Sequence, residues 1–545
     1  MMSLLFLLLG FTNAIENTPV DLILYNGKIY TVDASFSIQT AVAINGDKIV
    51  AIGDDAEIQQ LYSAKNTIDL KGKSVYPGFI DAHCHFLGYG RNLMYANLRN
   101  ASSFEEILER LKIFDPSATN GWIIGRGWDQ NLWTEKVFPD CKVLDSLFPN
   151  NPVYLIRIDG HAVLANTYAL KLAGINNATN VNGGVVVTEN NKCTGLLIDN
   201  AITPLQELLP VNDPAFIQTA LLRAQDSCFS VGLTSVQDAG LEKIEIDEIQ
   251  KLQDAEKLKM RIYAMLSSNK ETLDYYFSRD QIHTDYLFIG AVKYYMDGAL
   301  GSRGAALLEP YSDDPDNSGL LFYTYDSLKA AAEIVHAMNY QMCTHAIGDA
   351  ANRMVLNVYA DVLLSTNDRR WRIEHCQIVN HDDLEFFKKY DIIPSIQTTH
   401  ATSDMYWAED RLGATRIHDA YAYKSLLQQN GWLANGSDFP VEYINPLFGF
   451  YAAISRQDQN GYPEHGFQKE EALTRKEALQ ATTIWAAKAA WEESEKGSIE
   501  PGKFADLVIL ENDIMQIPKE EIFNTKVLMT ISGGKIVYQK VNGEW

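Results

Sequence analysis

From Asp21 onward, short apolar segments alternate with polar punctuation, and the rhythm differs between the ends and the middle of the chain. Near the N-terminus, Leu22–Ile23–Leu24–Tyr25, Lys28–Ile29–Tyr30–Thr31, Thr40–Ala41–Val42–Ala43–Ile44 and Lys48–Ile49–Val50–Ala51–Ile52 are β-rich runs parted by Asn26–Gly27 and Asn45–Gly46. Asn-Gly between such runs predicts hairpins, because both residues accept the positive φ of a tight turn. The C-terminus repeats the pattern in Ala505–Leu510, Val527–Ile531 and Lys535–Tyr538, and Gly534–Lys535–Ile536–Val537 mirrors Gly27–Lys28–Ile29–Tyr30. The two ends are therefore read as one small β-domain, a composite sandwich built from both termini.

Between them, strand-like runs alternate with amphipathic helical stretches. The strand candidates are Val153–Asp159, Thr234–Asp238, Tyr286–Lys293, Gln341–His345, Arg372–His375, Ile392–Gln397 and Leu433–Asp438. Helices are predicted over Phe104–Phe114, Pro214–Val231, Tyr325–Met338, Ala351–Leu364 and Arg475–Ala490. Such alternation means parallel strands joined by helical crossovers. With Ile80 in the first strand, roughly eight units fit, the count of an α/β fold of the (β/α)₈ TIM-barrel type. An open doubly wound sheet competes, but its Gly-rich nucleotide turn is missing: Gly125–Arg126–Gly127 lacks the third glycine and a following helix. The predicted domains are 20–76 and 496–545 for the sandwich and 77–495 for the barrel, with an insertion at about 101–199. That insertion holds a predicted hairpin, Gly184–Thr188 to Thr194–Leu197, and three tryptophans (Trp122, Trp128, Trp133) that suit either the barrel mouth or an ordinary core.

Composition narrows the class. A hydrophobic fraction of 46% over 545 residues supplies a large core. The net charge of −24 and the lack of any Lys/Arg run argue against nucleic acid and anionic membranes. Leu4–Phe11 is apolar and followed by Thr12–Asn13–Ala14, which reads as residues 1–19 forming an export signal and linker, although a basic start is missing. The run is too short to span a bilayer. The six cysteines follow no zinc or disulfide spacing and are expected as free thiols, mostly buried.

The chemistry begins at His83–Cys84–His85, closing the apolar run 74–81. Alternate strand residues share a face, so both imidazoles can meet at one point. In a barrel, catalytic groups sit at strand C-terminal ends, and reading each candidate strand there adds Lys293, His345, His375 and Asp438. Each has an ordinary alternative: a hydrogen-bonded core histidine for His345 or His375, a helix cap for Asp438, an ion pair with Asp297 for Lys293. Lys293 is the hardest to explain away, since a lysine ending the apolar run Leu287–Val292 pays a large desolvation cost unless paired or modified.

Pro77–Gly78–Phe79–Ile80–Asp81–Ala82–His83–Cys84–His85 resembles the opening metal motif of the amidohydrolase superfamily. Gly497–Ser498–Ile499–Glu500–Pro501–Gly502–Lys503–Phe504–Ala505–Asp506–Leu507 resembles its closing motif. Lys293–Tyr294–Tyr295–Met296–Asp297–Gly298–Ala299–Leu300–Gly301–Ser302–Arg303 is similar to the branch that contains N-substituted formamide deformylase. The resemblance implies a metal-bearing barrel with a composite sandwich. It places His83 and His85 on one metal, His345 and His375 on another, a CO₂-derived carbamate on Lys293 between them, and Asp438 as ligand and proton carrier. One or two divalent ions are implied, Zn²⁺ first, with Mn²⁺, Co²⁺, Ni²⁺ or Fe²⁺ as alternatives for N and O donors.

The implied activity is hydrolysis of a non-peptide C–N bond, by attack of a metal-activated hydroxide on a small-molecule amide. Trp128, Tyr294, Tyr406, Trp407 and Phe439 lie near site loops in sequence and point to an apolar or aromatic substituent. His161, after Asp159–Gly160, is placed to polarise the carbonyl or stabilise an oxyanion. Arg303 is placed to clamp a substrate carboxylate or a loop carbonyl. The same site would serve a lactonase or phosphotriesterase. A non-catalytic binding protein would be expected to have lost a ligand, and none is lost. A Gly-x-Ser-x-Gly elbow is missing, against a serine hydrolase. A homo-oligomer stays open.

Overall fold

The structure is a computed structural model, describing residues 17–540 except 158–161, 182–183 and 211–212. The segment read as an export signal and His161 lie outside the described residues.

Eight strands form one parallel sheet that curls into a nearly closed barrel: β1 (Phe79–Cys84), β2 (Leu233–Leu241), β3 (Arg261–Ser267), β4 (Leu287–Tyr295), β5 (Gln341–Ala346), β6 (Arg372–His375), β7 (Ile393–Ile396) and β8 (Ala434–Asn435). The strands are buried nearly throughout, which is why they read as continuous apolar runs rather than alternating ones. Closure falls at the site. Asp438 N donates to His83 O at 2.7 Å and His85 N to Phe439 O at 2.8 Å, joining the two edge strands. Gly436 permits that approach, because a Cβ there would lie 2.3 Å from His83 N.

Crossover helices follow local signals. The helix Pro214–Ser230 starts at Asp213, whose carboxylate caps Ala215 N and Phe216 N, and has proline in its first turn. It buries Phe216, Ile217, Ala220, Leu221, Ala224 and Cys228, an i, i+4 stripe facing the core.

One expected barrel strand is corrected. Val153–Arg157 belongs to a separate six-stranded mixed sheet, ordered 184–189, 192–199, 162–165, 153–157, 123–128 and 96–97. The barrel position belongs instead to Arg261–Ser267, a run outside the strands expected from the sequence, paired in parallel with a neighbour on each side. The hairpin within this insertion forms as expected, pairing Gly184–Glu189 with Lys192–Asp199.

The terminal segments form two further sheets. One is ordered 48–53, 41–45, 18–25, 62–69; the other, 535–539, 527–532, 507–510, 74–77, 28–30, 38–39, draws on both ends of the chain. Leu24, Ile29, Val42, Val75, Leu507 and Ile531 fill the space between them. The buried pair Arg261–Asp506 (2.7 Å) ties this sandwich to the base of β3. The six cysteines are free, five buried and Cys193 half-buried. Among the described residues no helix is long and apolar enough to cross a membrane.

Candidate metal centre at the mouth of the barrel

His83 and His85 leave the end of β1, Lys293 that of β4, His345 that of β5 and His375 that of β6, while Asp438 follows β8. Ring centroids of His83 and His375 are 5.0 Å apart, those of His345 and His375 4.5 Å, and those of His83 and His85 5.9 Å. One ligand atom each of His83, His375 and Asp438 fall within 4.8 Å of one another, the spread of a cation's first coordination sphere. His85 Nε2 is 3.3 Å from Asp438 Oδ1, and Lys293 Nζ is 3.2 Å from His83 Nε2.

Each ring is oriented by what its other nitrogen touches. His83 Nδ1 meets Glu374 Oε2 at 2.6 Å, His85 Nδ1 meets Ala239 O at 3.1 Å, and His375 Nδ1 meets Gln397 Oε1 at 2.7 Å. Acceptors at Nδ1 fix its proton and leave Nε2 as a lone pair aimed at the shared centre. His345 differs: its Nε2 lies 3.5 Å from Asp297 Oδ1, and Asp297 is itself fixed by the amides of Ala306, Ile347 and Gly348.

Beneath the rings sits a fully buried charge relay. Glu374 Oε2 accepts from His83 Nδ1 and Ser395 Oγ (2.6 Å), and Glu374 Oε1 forms an ion pair with Arg372 Nε (2.5 Å). Arg372 in turn bonds Gln237 Oε1 and Ala82 O, so the barrel interior under the site is polar but paired. Asp81 and Asp238 add rigidity. Asp81 accepts from Ser437 N and Oγ, locking β1 to the loop after β8, and Asp238 caps the helix Phe86–Leu93 through Phe86 N and Leu87 N. Backbone strain concentrates here: φ is +78° at His375, +43° at Cys376 and +58° at Asp438.

Electrostatics suit neutral imidazoles at His83, His345 and His375 around an ionised carboxylate, whereas at His85 burial works to lower the pKa but Asp438 beside it raises it above the ordinary histidine value. Burial, with the Lys293 charge nearby, pushes His83 down to about 4 and His345 down to about 3. Burial also takes His375 well below the ordinary histidine range. Burial alone would raise Asp438, yet His85 beside it and the surrounding rings hold it well below the usual carboxylate range. Burial lowers Lys293, and among the described residues no carboxylate oxygen lies within 4 Å of its amine; the pairing with Asp297 is not formed.

Two buried polar atoms at this point, Asp438 Oδ1 and His400 Nε2, have no hydrogen-bond partner, and His345 Nε2 next to it has none beyond its 3.5 Å approach to Asp297. Buried orphans are rare in folded proteins, and a gathering of them with lone-pair nitrogens fits a cation. The donor set of imidazole nitrogen and carboxylate oxygen fits a borderline divalent ion such as Zn²⁺.

The centre opens into a cavity of about 400 Å³, lined by the apolar or aromatic Tyr295, Leu300, Trp407 and Val441 and by the polar Gln377, His400, Asp404 and Glu442. Of the residues expected to touch substrate, Trp407 lines this cavity. Tyr294 does not: it points to the other face of β4 and packs on Tyr323, while Tyr295, in register with Lys293, takes the cavity position. Trp128 is 1% exposed in the core of the insertion, against Trp133 and Phe138, with its Nε1 bonded to Leu155 O. Arg303 is engaged by Asp313, which also binds Arg411. Phe439 is fully buried against Tyr89 and reaches the site only through its backbone carbonyl. Tyr406 stands at an adjoining pocket. Sequence reading missed Glu374, although it sits between two quoted residues, and His400, three residues beyond the expected end of β7.

A (β/α)₈ barrel whose strand ends gather imidazoles and a carboxylate around one point has the architecture of a metal-dependent hydrolase. The chain belongs to the amidohydrolase family, whose profile matches residues 66–538. It is 33% identical over 540 residues to the protein LONG AFTER FAR-RED 3 of Arabidopsis thaliana, covering 95% of this chain and 91% of that one. It is 26% identical over 548 residues to the N-substituted formamide deformylase of Arthrobacter pascens, covering 95% and 98%. Its structure is similar to that of an uncharacterized metal-dependent hydrolase from Pyrococcus horikoshii, with a TM-score of 0.79, 28% identity, and 91% and 99% of the two chains covered.

Proposed function

We propose that this chain hydrolyses a non-peptide amide C–N bond of a small molecule at the centre formed by His83, His85, Lys293, His345, His375 and Asp438. The observation that carries the reading is the convergence of fixed, neutral imidazoles and an orphaned carboxylate oxygen on one buried point opening into a cavity. A divalent cation held there, Zn²⁺ for this donor set, would acidify water towards neutral pH and polarise the scissile carbonyl.

The remaining work falls to side chains. Asp438, ionised and with Oδ1 facing His85 across 3.3 Å, is placed to take the proton from the attacking water and return it to the departing nitrogen. His400, with its Nε2 unbonded and 3.9 Å from Asp438 Oδ2, is placed to donate to the developing oxyanion, the role sequence reading gave His161. Lys293, kept towards its neutral amine by burial, is in the form that adds CO₂: the amine nitrogen bonds carbon, a proton leaves, and an anionic carbamate results. That carbamate would turn a costly buried amine into a ligand. Tyr295, Leu300 and Trp407 offer an apolar wall for a substituent on the amide, in keeping with the deformylase relative.

The test is a panel of N-substituted formamides, N-acyl amines, cyclic amides, lactones and phosphotriesters, offered to the Zn²⁺-loaded protein. Amine release from an amide is the expected result. Turnover confined to lactones or phosphotriesters would contradict the amide reading while leaving a hydrolase.

A further inference from the structure

Beside the cavity lies a second pocket of about 310 Å³, between the helices Thr398–Asp404 and Pro446–Ser455. Tyr406, Tyr443, Phe448 and Tyr451 line it, and Glu442 belongs to its wall and to the wall of the catalytic cavity alike. The helix Thr398–Asp404 also serves both, with Thr399 on the second pocket and His400 on the first.

Two observations point to a ligand. Glu442 Oε1 accepts from Ser403 Oγ at 2.6 Å, yet among the described residues no Lys, Arg or His nitrogen lies within 4 Å of its carboxylate. Thr399, 9% exposed and part of the same pocket's wall, carries a buried hydroxyl with no hydrogen-bond partner. A carboxylate without a counter-charge, electron-rich rings and a free hydroxyl together match an organic ammonium group, which donates to oxygen and lies against ring faces. Anionic groups have no such welcome. Lys293 is the one Lys or Arg among the described residues lining either space, and it sits at the metal centre.

Building on the amide-hydrolase reading, we propose that this pocket is the subsite for a cationic, amine-bearing arm of the substrate, with Glu442 as its counter-charge. The site then sorts amides by charge as well as by apolar bulk, and the chain's net charge of −24 favours the approach of such cations at low salt.

The test titrates phenethylammonium and its neutral counterpart 2-phenylethanol into the Zn²⁺-loaded full chain by calorimetry, with Glu442→Gln alongside. Phenethylammonium is expected to bind the wild type about tenfold more tightly than the alcohol, or better. The preference should fall to about threefold or less in Glu442→Gln, and added salt should weaken only the ammonium. Equal affinities in the wild type, or a preference that survives Glu442→Gln, would overturn the assignment. Should Glu442→Gln fold poorly, Tyr443→Ala replaces it, and an unchanged preference there overturns the assignment equally. Neither probe needs turnover. A chain that shows the preference but hydrolyses no amide loses the function reading alone; one that hydrolyses amides without the preference loses the subsite alone.

Discussion

Glu374→Gln is the most revealing single change, because it alters one charge without altering shape. Glu374 and Arg372 are both fully buried, and the guanidinium's hydrogen bonds go to neutral groups, Gln237 Oε1, Ala82 O and Met265 Sδ. Removing the carboxylate strands a buried cation and frees His83 Nδ1 from its acceptor. Breaking a buried pair in this way costs about 3–5 kcal/mol. Losing the carboxylate behind a ligating imidazole costs about 10–100-fold in metal affinity. Calorimetric melting, where a few to about 10 °C should be lost, reads the first; chelator competition for Zn²⁺ reads the second. Burial works to raise the Glu374 pKa, but Arg372 and His83 overcome it and hold the group well below the ordinary carboxylate value of about 4.3. A depressed folded-state pKa means its contribution is complete above that value and lost as the pH falls below it. The gap between wild type and variant should thus be constant from about pH 8 to 5 and close below about pH 4. Removing both charges, in Glu374→Gln/Arg372→Met, should cost less stability than Glu374→Gln alone. A Glu374→Gln protein that melts with the wild type and keeps its metal would refute the relay.

Asp438→Asn should keep the fold and much of the bound metal yet lose turnover by about 10²–10⁴-fold, measured at saturating substrate; near-normal turnover would remove its proton role. The metal-free protein should lose stability on acidification between the ordinary histidine value of about 6.5 and about 4, because the unfolded chain binds protons there that buried His83 and His345 refuse. Denaturant titrations across that range check it, and a flat profile would mean the rings are solvated.

Much of the site was legible because strand ends are simple to read. His83, His85, Lys293, His345, His375 and Asp438 terminate or follow apolar runs, and a barrel sends those ends to one face. The same alternation would have separated Tyr295 from Tyr294, since residues two apart share a face with Lys293 and adjacent ones do not. Glu374 was harder. Strict alternation puts His375 and Glu374 on opposite sides, and the positive φ at His375 lets both serve the centre. Such a backbone angle leaves no trace in hydrophobic pattern. Val153–Arg157 was misplaced because a buried strand of an inserted sheet has the same apolar signature as a barrel strand. Trp128 shows the related limit: nearness in sequence to a site loop did not separate a cavity wall from the packed core of a neighbouring sheet.

The central claim is that Lys293 belongs to a metal centre. Elemental mass spectrometry of protein purified without chelator, wild type beside Lys293→Ala, tests it most directly. Stoichiometric divalent metal in the wild type, lost from Lys293→Ala and partly restored with activity by propionate, is the predicted result. A Lys293→Ala protein that keeps its full metal content would contradict it.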